Sequence, residues 1–179
     1  VVLEEFRKRR VQKDKKEFEI KLPEKCLGLV TDFGIIKRSE YSELVAAAGD
    51  PCLSALVFEK QKEALEFVAR SDDHFTGFRA IALDACNASK ETDVLEELRT
   101  KMGSFPNKHF AVDLVEPLEE RYKQLWRQVL GSAIIFDCEK DMYAFERKFG
   151  ISQTLLSWRE EPSGRTLVKG GRELHLVGA

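Results

Sequence analysis

An acid and a thiol close one apolar run, Ile81-Ala-Leu-Asp84-Ala-Cys86. In open α/β sheets the C-terminal ends of buried strands are where ligands meet side chains, so Asp84 and Cys86 are the first candidates for chemistry. A nucleophilic thiol needs a base and a lowered pKa. The sequence places neither beside Cys86, although folding can bring His109 near. A cysteine packed in the core is the plainer reading. Asp32-Phe33-Gly34 spells the metal-binding triplet of protein kinases, but no Gly-rich loop and no His-Arg-Asp motif accompanies it. It reads as a strand end followed by a turn. The glycine-rich stretch from Gly164 to Gly170-Gly171 lacks the strand-before, helix-after setting of a phosphate loop. It reads as a turn between two short strands, 165–168 and 173–177. His74, His109 and His175 are isolated from one another and from Cys26, Cys52, Cys86 and Cys138, and no zinc-ligand spacing occurs. The expectation is no catalytic residue, no metal and no cofactor, with a small α/β enzyme or nucleotide-binding domain using Asp84 and Cys86 as the alternative.

Charge is the other chemical resource. Net charge over the 179 residues is −2, but residues 1–25 alone carry +3, from nine Lys/Arg against six Asp/Glu. Arg7, Lys8, Arg9, Arg10, Lys13, Lys15 and Lys16 are the candidate nucleic-acid contacts, for DNA or RNA, because cations clustered on one segment neutralise phosphates. A solvated helix face explains the same cluster. Hydrophobic residues make up 43% of the chain, enough to bury a core, and charges of both signs are interspersed, which argues against disorder. No apolar run approaches the roughly 20 residues of a membrane span, so no membrane partner is expected. The first residues do not form a signal peptide, since the basic stretch follows the apolar one.

The elements that position these residues are legible from periodicity. Residues 1–18 read as a helix with a thin apolar stripe, and Pro23 ends it. Cys26 to Asp32 reads as a strand, and Ser39 caps a helix through Tyr41 and Leu44 that ends at Gly49. Leu53 to Phe58 is a strand, Lys62 to Arg70 a helix, and Phe78 to Leu83 a strand. A helix-like stretch from Thr92 to Met102 connects to a second series. There, His109 to Val115 is a strand, Glu119 to Leu130 a helix ending at Gly131, and Ala133 to Phe136 a strand. Asp141 caps a helix to Phe149, and Gln153 to Trp158 is a strand. Both series run strand, helix, glycine, strand, helix, strand. Tyr41 and Tyr122 hold matching places, as do Phe58-Glu59 and Phe136-Asp137, so an internal duplication is inferred.

In this order the pieces resemble the hinge domain of structural-maintenance-of-chromosomes (SMC) proteins, most closely a divergent, SMC-like member. Gly28-Leu-Val-Thr-Asp32 looks like the opening strand of that family, Tyr41 to Gly49 like its first helix, and Phe78 to Asp84 like the strand that closes its first lobe. Asp113-Leu-Val115, Tyr122 to Leu130, Gly131 to Asp137 and Ser163 to Gly171 are similar to the second lobe. No glycine stands near Ser157-Trp158-Arg159, where the family has a turn. The resemblance covers residues 26–175. It implies an α/β (α+β) fold of two lobes, each with a mixed sheet and flanking helices. Residues 1–25 would be an arm stub, 26–108 the first lobe with a connector, and 109–179 the second lobe. It also implies a non-enzymatic dimerisation module that joins coiled-coil arms, pairing with itself or a related hinge, with weak nucleic-acid binding and a nuclear, chromosome-associated location. The interface expected from it is Gly164, Leu167, Val168, Gly170, Gly171, Leu174 and Leu176, where glycines let two backbones approach and apolar strands offer an edge.

Overall fold

The computed structural model describes residues 22–70, 77–86, 88–150 and 153–170, the side chains of 88–93 apart. Its first half contains β1 (Cys26–Leu29), β2 (Gly34–Ile36), α1 (Ser42–Gly49), β3 (Leu56–Phe58), α2 (Gln61–Arg70) and β4 (Ala80–Ala82). A connecting helix, α3 (Ala88–Met102), leads to β5 (Lys108–Phe110), β6 (Val115–Pro117), α4 (Lys123–Leu130), β7 (Ile134–Phe136), α5 (Glu139–Phe149), β8 (Leu155–Glu161) and β9 (Gly164–Lys169). The two halves therefore repeat one plan, as the matching tyrosines suggest. Each opening strand runs into a 3-10 turn, and Tyr41 and Tyr122 each close a further 3-10 turn directly before a helix.

Three sheets result, in orders β1-β3-β4, β2-β6 and β5-β7-β8-β9. In the first and third, the opening strand is antiparallel to the middle one, and a helix crossover makes the next pair parallel. The two-stranded sheet takes one strand from each half, pairing Gly34 with Pro117 and Ile36 with Val115. The fold is α+β with small mixed sheets, as expected.

Helix α4 shows how the sequence builds the shared core. Tyr122, Leu125, Trp126, Val129 and Leu130 recur at helical spacing and are all buried. They join Val30, Phe33, Leu44 and Val57 of the first half in one apolar cluster that also takes Ile135 and Leu156. Fully burying each such side chain contributes about 1.5–3 kcal/mol. A second cluster packs Leu95, Leu98 and Met102 of α3 against Phe110, Ile134, Phe136 and Phe145, so the connecting helix covers the second half.

Several local expectations need correction. The strand from Cys26 stops at Leu29, because the Asp32 carboxylate accepts the Leu29 N–H at 2.8 Å and folds the chain into a turn. Ser39 does not cap α1: it lies in the preceding 3-10 turn, and its carbonyl accepts the Ser42 hydroxyl. Leu53 likewise lies in a 3-10 turn, and β3 begins at Leu56. The run from His109 to Val115 is two strands, since residues Ala111–Leu114 turn and send β6 away to β2. Helix α5 starts at Glu139, not Asp141; the Asp141 carboxylate instead accepts from Asn107 Nδ2 at 2.8 Å. Strand β8 extends to Glu161 because it forms a hairpin with β9, so the partner of 165–168 is β8. The strand expected at 173–177 lies outside the described residues.

Candidate functional site

The halves meet along a seam that places most of the polar chemistry. The Tyr41 hydroxyl donates to Asp137 Oδ1, and His109 Nε2 lies 3.0 Å from that hydroxyl and 3.1 Å from the same carboxylate oxygen. The Arg38 guanidinium sits 4.7 Å above the Tyr41 ring. The second half repeats the device: Arg121 lies 4.6 Å above the Tyr122 ring and reaches Glu59 of the first half at 3.8 Å. The acid that follows each middle strand, Glu59 or Asp137, is thus the contact point for the other half.

Burial, then the Asp137 hydrogen bond, pushes the Tyr41 phenol up to about 12. A phenol held neutral in this way is a donor, not a base, at neutral pH. The folded value lies above the ordinary 10, so the stability it contributes is fully present below pH 10 and is lost as pH rises from 10 to about 12. A shift of that size corresponds to about 2–3 kcal/mol. The parent protein is expected to lose this amount between pH 9 and pH 12 in urea denaturation, and Tyr41→Phe to lose markedly less. Equal alkaline losses in the two proteins would contradict the assignment.

Deeper in the seam, Trp126 is buried and its indole N–H donates to the Phe33 carbonyl at 3.0 Å. A Cβ on Gly34 would lie 2.5–2.6 Å from the indole ring. Phe33 stacks on Tyr122 with centroids 4.4 Å apart. The Asp32-Phe33-Gly34 triplet is therefore a seat for the second half: the acid closes a turn, the ring stacks, and the missing side chain admits the tryptophan.

Asp84 and Cys86 have structural partners. The Asp84 carboxylate accepts the Gln61 N–H at 2.8 Å, capping α2, and the Cys86 thiol donates to the Ala82 carbonyl at 3.3 Å. His109 engages Tyr41 and Asp137. Among the described residues no group of three or more His, Cys, Asp or Glu converges as metal ligands, and no helix is long and apolar enough to cross a membrane.

The sheet edges offer the remaining surface. The Gly170 N–H donates to the Leu155 carbonyl at 2.9 Å, and the register pairs Leu156 with Lys169. In an antiparallel ladder bonded pairs alternate, so Gly164, Thr166 and Val168 face β8. The backbone groups of Arg165, Leu167 and Lys169 point outward, where no described strand meets them. At the end of the first sheet, the Leu56 N–H donates to the Arg79 carbonyl, which turns the backbone groups of Ala80 and Ala82 outward from β4.

Of the interface residues expected from sequence, Leu167 and Val168 are half-buried against the shared core and the second cluster. Gly164 opens β9 at φ +133° with open space around it. Gly170 is packed against its own chain, since a Cβ there would meet Leu155 Cβ at 2.9 Å. Gly171, Leu174 and Leu176 lie outside the described residues, as do Arg7, Lys8, Arg9, Arg10, Lys13, Lys15 and Lys16. Sequence reasoning missed Ala80, Ala82, Arg165 and Lys169 as edge positions. The Pro162-Ser163-Gly164 turn signal, had it been used to set the hairpin register, carries that information for β9.

No family model and no curated protein matches the sequence. Solved structures do share its fold. An asymmetric dimer of the Geobacillus stearothermophilus SMC hinge domain superposes with a TM-score of 0.65 at 17% identity, covering 93% of this chain and 59% of that one. The Pyrococcus furiosus SMC hinge domain gives 0.56 at 15% identity, over 99% of this chain and 89% of that one. A structure of the folded elbow of cohesin gives 0.57 at 15% identity, covering 98% of this chain and 24% of the other. The chain thus spans less than two thirds of the first and third of these chains, and it has the SMC hinge-like fold.

Proposed function

We propose that this chain is a hinge-type association module, in which two copies, or this chain and a related one, join edge to edge and so link the tips of two coiled-coil arms. The observation that carries the reading is the outward row of backbone groups at Arg165, Leu167 and Lys169 on a strand that ends its sheet. An open edge is a template for another chain. A twofold pairing of β9 with the partner's β4 would complete both end sheets at once, as closed symmetry requires. Of the interface residues expected from sequence, Gly164, Leu167 and Val168 are on this strand and Gly170 directly follows it, while Gly171, Leu174 and Leu176 lie outside the described residues. The hinge-like fold supports the association reading; a role in organising chromosomes and a nuclear location are further parts of the proposal.

The test uses proline at outward positions, where no internal ladder bond is lost. Arg165→Pro with Lys169→Pro is expected to shift the dimer–monomer equilibrium at least tenfold toward monomer in analytical ultracentrifugation, with unchanged circular dichroism. A parent chain that is monomeric at tens of micromolar, or a variant that still dimerises, would defeat the reading.

Weak, sequence-independent nucleic-acid binding through Arg7, Lys8, Arg9, Arg10, Lys13, Lys15 and Lys16 is part of the same proposal. Each phosphate neutralised steepens the dependence of log K on log salt by roughly 0.9. Reversing the charge of Arg9 and Arg10 is expected to weaken duplex binding and lower that slope by about 2. An unchanged slope in a salt titration would remove these residues from the interface.

A further inference from the structure

A second surface, independent of the sheet edges, concentrates positive charge within one chain. Lys37, Arg38, Arg99, Lys108 and His109 line an open groove of about 450 Å³, with Asp113 as its acid. The groove joins three parts of the fold. Lys37 and Arg38 follow β2, and the Lys37 N–H donates to the Leu114 carbonyl at 2.9 Å. Arg99 comes from α3, while Lys108 and His109 come from β5.

The charges in the groove are not equivalent. Arg38 is paired with Glu40, and Arg99 with Asp113. Lys37 is exposed and has no ion-pair partner among the described residues. Among the described residues the Lys108 ammonium donates only to backbone carbonyls, those of Phe105 at 2.9 Å and Gly103 at 3.4 Å. Two ammonium charges are left without a carboxylate, flanked by two guanidinium forks and an imidazole. A phosphate monoester carries close to two negative charges at neutral pH and presents three acceptor oxygens, which matches that surplus.

The surroundings limit the size of the anion. The neighbouring depression shares Lys37, Arg99 and Asp113 and adds Glu116, Glu119 and Glu120 together with Lys123 and Arg127, so its cations and carboxylates are equal in number. A long polyanion continuing along the groove would pass onto a surface with no surplus of positive charge, whereas a single phosphoryl group would stay where the surplus is.

We propose that the groove formed by Lys37, Arg38, Arg99, Lys108 and His109 is a binding site for a single phosphate monoester, such as a phosphorylated side chain. Lys37 and Lys108 supply the uncompensated charge, and the Arg38 and Arg99 forks supply directional donors. The site lies inside one chain, so it does not depend on the edge-to-edge reading, and Arg165→Pro with Lys169→Pro is expected to leave it intact.

The full chain is titrated at constant ionic strength with inorganic phosphate, with a phosphoserine peptide and its unphosphorylated form, with chloride, and with a 20-base-pair duplex. Calorimetry and ³¹P NMR give the affinities. Phosphate and the phosphopeptide are expected to bind, with Lys37→Gln and Lys108→Gln each weakening them about tenfold at unchanged melting temperature. Phosphopeptide binding much tighter than inorganic phosphate identifies a protein side chain as the source, and equal affinities identify the free anion. Since the Lys37 side chain has no ion-pair partner to lose among the described residues, its variant keeps the test valid even where Lys108→Gln is less stable. Phosphate no tighter than chloride, or affinities unchanged by Lys37→Gln, would overturn the proposal. So would a duplex bound with a salt slope of several phosphates that collapses in the same variants, because the groove would then belong to a polynucleotide surface.

Discussion

Replacing Trp126 with alanine is expected to remove about 3–5 kcal/mol of stability, the cost of deleting a large buried aromatic. Small domains hold only about 5–15 kcal/mol in all, so the variant should be largely unfolded or melt far below the parent. Trp126 is 2% exposed, packs in the cluster that both halves share, and donates its indole N–H to the Phe33 carbonyl. Two milder changes separate these contributions. Trp126→Phe keeps most of the ring and loses the indole hydrogen bond, at about 0.5–1.5 kcal/mol, since the Phe33 carbonyl still accepts the Leu118 N–H at 3.1 Å. Gly34→Ala places a methyl group against the indole, an overpacking cost of about 1–3 kcal/mol. Urea denaturation followed by circular dichroism reads all three. A loss below about 1 kcal/mol for Trp126→Ala would show that the seam is not where the halves are held.

Substituting Gly170 by glutamate is expected to damage the fold before it damages any interface. A side chain there must displace Leu155, which is 1% exposed and lies among the aromatic residues of the second cluster. It must also carry a carboxylate toward that apolar face, where a charge without a partner is costly. The expected loss is about 3 kcal/mol or more, seen as a lowered melting temperature in the monomer itself. A Gly170→Glu chain that dissociates at unchanged melting temperature would place Gly170 in the association surface instead. The contrast with the outward prolines is the useful one, since those change the edge and spare the ladder.

The fold was legible where periodicity was long. Helix α4 announces itself through Tyr122, Leu125, Trp126 and Val129, and the repetition of Tyr41 by Tyr122 exposes the duplication. The short strands were less readable. An apolar run such as His109 to Val115 has the composition of one strand, and only the carbonyl of Ala133, accepting from Ala111, shows where it leaves the sheet. The seam was hidden for a different reason. Nothing local in Asp32-Phe33-Gly34 indicates an indole that lies far along the chain, because the need for a missing side chain is set by tertiary approach. The groove lined by Lys37, Arg99 and Lys108 was equally invisible: these residues come from three separate parts of the fold, and overall charge is negative.

The β2-β6 ribbon also has a consequence for how the chain is made. Gly34–Ile36 cannot pair until Val115–Pro117 exists, and Gly34 stays empty until Trp126 emerges. At ribosomal speeds of about 5–20 residues per second, the first half waits on the order of 5–20 s with Phe33 and an unpaired strand uncovered. The strand edge and the space at Gly34 are therefore covered only after β6 and α4 have left the exit tunnel.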